Sequence, residues 1–135
     1  MADSVAQSRN EDFALRVLEV SITAAANAGV TTVATITDQP CLIESVVIHA
    51  DAAQTANMTS CAVEGGVNQV VEFIGVADAI LANLDAADKQ LGWCGAVRLA
   101  ATKTITIDLQ GTGAAAVDLT ITITYRACAQ GGYLA

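Results

Sequence analysis

Two strictly alternating segments near the C-terminal end constrain the fold most. Residues 103–110 read Lys-Thr-Ile-Thr-Ile-Asp-Leu-Gln, and residues 117–125 read Val-Asp-Leu-Thr-Ile-Thr-Ile-Thr-Tyr. A period of two places the apolar side chains on one face of a β-strand. The glycine-containing stretch between the segments predicts a hairpin with one buried and one wet face. The aliphatic residues expected in the core are Ile105, Ile107, Leu109, Leu119, Ile121 and Ile123.

Shorter strand patterns occupy much of the remaining chain. Residues 41–50 follow Pro40, which disfavours a helix running into them, and they are rich in β-branched side chains. This segment is apolar on both faces, which indicates a central strand or one covered by a neighbour. The looser alternation of residues 13–23 predicts a strand with a bulge. Further strand candidates are residues 30–37, 58–64, 67–75 and 95–101.

One segment, residues 78–91, departs from the strand pattern. Asp78 is a suitable N-cap and Gly92 a suitable C-terminal stop for a helix. The segment therefore predicts a short helix or helical loop. The apolar residues at helical spacing are Ile80, Leu84, Ala87 and Leu91.

Taken together, these patterns predict an all-β chain that forms a two-sheet antiparallel sandwich, jelly-roll-like, with about eight strands. The 135 residues suffice for one domain. We expect residues 13–135 to form that domain and the polar residues 1–12 to form an extended N-terminal arm. An immunoglobulin-type sandwich is the alternative, but its Cys…Trp…Cys arrangement is not met, because Trp93 directly precedes Cys94 in a loop-like context.

Charge and hydropathy exclude several classes of protein. The chain is 53% hydrophobic and only 15% charged, which is the opposite of a disordered composition. A net charge of −8 argues against binding to nucleic acid or to an anionic membrane, since both require a positive surface. No stretch is apolar enough to span a bilayer. The polar start lacks the features of a secretory signal, so we expect the chain to stay in the cytoplasm, at least initially.

The cysteines do not form a recognisable metal or disulfide motif. Cys41, Cys61, Cys94 and Cys128 are widely spaced, with no C-x-x-C pair, and His49 is the single histidine. Metal sites usually show close ligand pairs, so we expect none here. Without a secretory signal, buried reduced thiols are expected. Because four cysteines could form two pairs, two disulfides remain possible.

No catalytic constellation is apparent in the sequence. Residues 111–116 match G-x-G-x-x-A, but a strand follows where dinucleotide binding needs a helix. Ser45 lies too far along the strand from His49 for a nucleophile–base hydrogen bond. Asp85 and Asp88 are one helical turn apart, a spacing typical of a solvated face. We therefore expect no enzyme activity and no cofactor, and we interpret His49 as a structural or interface histidine.

Three stretches together resemble small β-sandwich virion proteins. They are residues 40–50, the Gly-Trp-Cys-Gly segment at 92–95, and the closing hairpin. In particular, the chain resembles head decoration proteins, also called cement or auxiliary capsid proteins, of tailed bacteriophages. Members of that family are small, often jelly-roll-like, and commonly sit as trimers where capsomers meet.

The resemblance implies a non-enzymatic virion protein that binds the outer surface of the capsid and reinforces it. Its partners would be the major capsid protein and further copies of itself, most simply in a homotrimer. Another virion component, such as a tail or fibre-tip module, and a small ligand-binding sandwich remain the alternatives. The candidate interface residues are Asp3, Arg9, Glu11, Asp12 and His49.

Overall fold

The computed structural model describes residues 13–23, 29–54, 58–111 and 118–135. The predicted arm, residues 1–12, lies outside the described residues. Short 3₁₀ turns occur at Val67–Gln69 and Leu81–Asn83. The strands are β1 (Arg16–Ile22), β2 (Gly29–Thr37), β3 (Cys41–Ala50), β4 (Ser60–Gly65), β5 (Val71–Ile74), β6 (Gln90–Leu99), β7 (Thr104–Gln110), β8 (Leu119–Ala127) and β9 (Tyr133–Leu134).

The strands form two antiparallel sheets. One has the order β1-β8-β3-β6 and the other the order β5-β4-β7-β2-β9. The pairs β1–β8, β2–β7, β3–β6 and β4–β5 are those that one long antiparallel hairpin would make. Rolling that hairpin sends successive pairs to opposite sheets, which gives a jelly-roll-like order. The predicted all-β, two-sheet sandwich is thus confirmed.

The core lies between the two sheets and contains the predicted side chains of the closing hairpin. All six aliphatic residues expected there are no more than 1% exposed. Val46 and Ile48 of β3 meet them from the neighbouring strand and are fully buried. The two alternating segments are β7 and β8, which lie in different sheets. They are therefore not paired with each other as the predicted hairpin required.

Strand β3 is central in its sheet, as predicted, and a bulge explains why apolar residues occur at both odd and even positions along it. It pairs with β8 on one side and β6 on the other, and its register shifts between Ile43 and Ser45. Ile43 and Val46 both face the core because the bulge inserts one extra residue, which shifts the alternation of inward and outward side chains by one position. On the outward face, Val47 and His49 are half-buried.

Strand β1 lacks the predicted bulge, because its pairing with β8 is continuous from Arg16 to Ile22. The apolar residues of segment 13–23 are instead divided between two faces, and one set points away from the core. This outward set comprises Phe13, Leu15 and Val17, which are 37%, 50% and 62% exposed.

The predicted helix at residues 78–91 is reduced to one 3₁₀ turn at Leu81–Asn83. Loop carbonyls bond to other segments instead: that of Ala79 accepts from the β4 backbone (2.9 Å), and that of Leu84 from the segment after β3 (3.2 Å). Asp88 has a φ of 68°, which is incompatible with a right-handed helix. In the described ranges, no helix is long and apolar enough to cross a membrane.

Strand β6 begins at Gln90, earlier than the predicted strand at residues 95–101. Trp93 therefore lies within a strand, and the loop-like context inferred from sequence is wrong. Its ring packs edge-on against Phe73 of β5, with centroids 4.9 Å apart, and so links the edges of the two sheets. A Cβ at position 95 would come within 2.7 Å of the indole, so this close approach requires Gly95.

All four cysteines are free thiols, but only two of them are buried. Cys41 and Cys61 lie in the core, whereas Cys94 and Cys128 are exposed, which corrects the expectation that all would be buried. Burial raises the pKa of the Cys61 thiol to about 12.

We expect a thiol reagent to label Cys94 and Cys128 in the folded protein, and Cys41 and Cys61 only after unfolding. Mass spectrometry before and after denaturation counts the labels. Adding a reductant should leave the Tm unchanged. A fall of more than about 10 °C would instead reveal a structural disulfide, because losing one costs about 2–5 kcal/mol.

Candidate functional site

The outward face of the four-stranded sheet contains an open cavity of about 510 Å³, which we call the trough. All four strands of that sheet, together with the residue after β3, contribute to its walls. The lining residues are Glu19, Val47, His49, Asp51, Gln90, Thr120 and Thr122.

The strand register brings these residues together from distant parts of the chain. Directly paired residues of antiparallel strands point to the same face of the sheet. Gly92 pairs with Val47 and adds no side chain above the floor of the trough. One cross-strand row is Glu19, Thr122 and Val47, and the next is Thr120, His49 and Gln90.

Both ring nitrogens of His49 contact carboxylates. Nδ1 lies 2.7 Å from Oδ1 of Asp51, and Nε2 lies 3.1 Å from Oδ1 of Asp88. A neutral imidazole has only one N–H, so both contacts are hydrogen bonds only when the ring is protonated. The hydrogen bond to Asp51, above all, raises the pKa of His49; the contact with Asp88 adds to this, and partial desolvation opposes it.

Asp51 is held by two neighbours and links β3 to β8. It accepts a hydrogen bond from the Thr120 hydroxyl at 2.6 Å. That bond, and next the one from His49, lowers the pKa of the Asp51 carboxyl. Asp88 lies in the loop before β6, so the imidazolium joins this loop to the end of β3.

We expect the His49 pKa to lie above its ordinary value of 6.5. A raised folded-state pKa gives stability that is fully present below the unfolded value and is lost as pH rises through the folded value. NMR titration should show that Asp51→Asn lowers the His49 pKa. Asp85→Asn is the matched control, because Asp85 pairs with Lys89 instead. A His49 pKa at or below 6.5, or one insensitive to Asp51→Asn, would contradict the geometry.

Other residues singled out from the sequence do not assemble with His49. The Ser45 hydroxyl hydrogen-bonds to Thr124. Asp85 contacts Nζ of Lys89 at 2.5 Å, so it does not act with Asp88 as a carboxylate pair. Among the described residues, no group of three His, Cys, Asp or Glu side chains is arranged to hold a metal ion. The arm candidates Asp3, Arg9, Glu11 and Asp12 lie outside the described residues.

Sequence reasoning selected His49 and missed its surroundings. The sequence did indicate that Asp51 lies beside His49. Residues two apart on a strand share a face, so His49-x-Asp51 places an acid beside the imidazole. No sequence pattern indicated the other polar lining residues, because only the register of four strands brings them to the trough. These residues are Glu19, Gln90, Thr120 and Thr122.

The fold defines the class of this protein as a two-sheet, jelly-roll-like β-sandwich. No protein-family model matches the sequence, and no curated protein matches it. Among solved structures, the chain is similar to one from the "Acidic stable capsid structure of Helicobacter pylori bacteriophage KHP30". The TM-score is 0.56 at 9% sequence identity, over 90% of this chain and 92% of that one. The two chains therefore share a fold over nearly their whole lengths.

Proposed function

We propose that this protein is a capsid decoration protein: a non-enzymatic virion component that binds the outer surface of a tailed-phage capsid and reinforces it. The observation that carries this proposal is the fold shared, over nearly the full length of both chains, with a chain from a phage capsid structure. The major capsid protein is the proposed partner, and the proposed assembly is a homotrimer.

The outward face of the four-stranded sheet has the character of a contact surface. Val17, two residues before Glu19 on the same face of β1, is 62% exposed, and Leu15, just before β1, is 50% exposed. Neighbouring exposed apolar side chains mark surfaces that are covered by a partner. We further propose that residues 1–12 form the arm that reaches a neighbouring subunit or the shell, through Asp3, Arg9, Glu11 and Asp12.

The chemistry of the trough favours binding over catalysis. Both ring nitrogens of His49 are engaged by carboxylates, so neither is available to deprotonate a hydroxyl. A ligand-binding sandwich is the second candidate, because 510 Å³ lies within the usual range of ligand sites, about 300–1,000 Å³. The trough is open, and its described lining residues are mostly polar with no phenylalanine, tyrosine or tryptophan among them, which fits a protein contact better.

Co-sedimentation with shells assembled without this protein tests the proposal. We expect saturable binding at a fixed number of copies per capsomer, and light scattering should report a trimer for the free protein. An absence of binding at micromolar concentration would contradict the decoration function. A specific small ligand that saturates the trough, together with no shell binding, would favour the second candidate.

A further inference from the structure

We propose that the trough is the docking site for a basic side chain, arginine or lysine, of the protein that this chain binds. This inference rests on the proposed function only for identifying that partner as a shell protein. The docking chemistry itself follows from the charge, shape and surroundings of the trough.

The negative charge of the trough attracts a cationic group of a partner protein. Glu19 and Asp51 place carboxylates on β1 and at the end of β3, and His49 lies between Asp51 and Asp88, so three carboxylates surround one imidazolium and the net charge is negative. Among the described residues, no lysine or arginine lines the cavity. Lys89, which precedes Gln90 in the chain, pairs with Asp85 at 2.5 Å. The net charge of −8 adds a long-range attraction for a basic partner.

The shape of the trough suits a long side chain with a charged tip. Val47 offers an apolar floor, and Gly92 beside it leaves the space above open. Lysine and arginine lay their methylene stems along apolar surface and keep the charge on a polar rim. Here the rim provides the Glu19 and Asp51 carboxylates and the Gln90 amide oxygen as acceptors.

The surroundings of the trough also favour a protein side chain. Val17 lies two residues before Glu19 on the same face of β1 and is 62% exposed. A basic anchor flanked by apolar contacts is a common arrangement of energetically dominant interface residues. Among the described residues, the lining contains no phenylalanine, tyrosine or tryptophan ring on which a sugar would stack.

The first test needs no shell. The full-length protein is titrated with N-acetyl-arginine amide and followed by NMR, with the uncharged isostere N-acetyl-citrulline amide as probe control. Glu19→Gln removes one carboxylate, and Gly92→Val fills the trough. A Cβ at position 92 would lie 3.9 Å from Val47 Cγ2, an ordinary contact distance, so the added side chain begins in open space beside Val47. Glu72→Gln is the matched charge control, because Glu72 is an exposed residue of β5 in the other sheet.

We expect saturable shifts at the trough with the arginine probe, at least fivefold weaker binding in Glu19→Gln and Gly92→Val, and unchanged binding in Glu72→Gln. Equal binding of the citrulline probe, equal losses in all three variants, or shifts spread over the whole acidic surface would overturn the proposal.

A second test uses shells and separates this inference from the proposed function. Glu19→Gln should bind shells at least fivefold more weakly than Glu72→Gln does. If the unmodified protein and Glu19→Gln bind shells equally, the trough is not the contact and the inference fails, although the decoration function stands. If the unmodified protein binds no shells, the decoration function fails, and the arginine titration alone still decides whether the trough takes a basic side chain.

Discussion

Ile121→Ala is expected to lower the free energy of unfolding by about 2–5 kcal/mol, the usual cost of truncating a fully buried isoleucine. The Ile121 side chain is 0% exposed and pairs across the sheet with Val20 and Ile48. Alanine would leave a cavity at the centre of the four-stranded sheet, where paired strands on both sides limit collapse. Urea unfolding at one protein concentration measures the change.

The matched control is Thr122→Val, the next residue on the same strand. Its side chain points to the outer face, and valine keeps the β-branched shape, so the change should stay within about 0.5 kcal/mol. A loss below about 0.5 kcal/mol for Ile121→Ala would place this residue among ordinary surface positions and would contradict the sandwich core.

Deleting residues 2–12 is expected to leave a folded protein that binds shells at least tenfold more weakly, about 1.4 kcal/mol. Folding should survive because the first paired residue of the described sheets is Arg16. Arm contacts must offset an ordering cost of about 1–2 kcal/mol per residue, so a functional arm makes substantial contacts with its target.

A full-length variant with Asp3, Glu11 and Asp12 changed to their amides and Arg9 changed to Gln separates charge from length. Loss of binding in this variant assigns the arm contacts to its charged groups. Circular dichroism checks that the truncated protein is folded. If the truncated protein bound shells as tightly as the full chain, the arm would have no part in decoration.

The core was predictable because its signal is local. Strict alternation in residues 103–110 and 117–125 assigns each side chain to a face without any knowledge of its neighbours, and the inward set is confirmed. Pairing was not predictable in this way. The two segments lie in different sheets, because β7 pairs with β2 and β4 while β8 pairs with β1 and β3.

Tertiary contacts override local propensity where the prediction failed. Gly92 and Gly95 are weak strand formers, yet β6 forms because β3 supplies its hydrogen-bonding partners. The helical spacing of residues 78–91 is real, but the loop carbonyls of Ala79 and Leu84 accept backbone hydrogen bonds from β4 and from the segment after β3. The trough was beyond sequence reasoning, since Glu19 and Gln90 belong to opposite edge strands.

Calorimetry of undecorated shells, with and without this protein, tests reinforcement most directly. A protein that binds only the intact shell stabilises it by about 2.7 kcal/mol per site at a hundredfold excess over Kd. The shell melting temperature should therefore rise with protein concentration, and the rise should be smaller for the chain lacking residues 2–12. An unchanged melting temperature at saturating protein would contradict the proposed function.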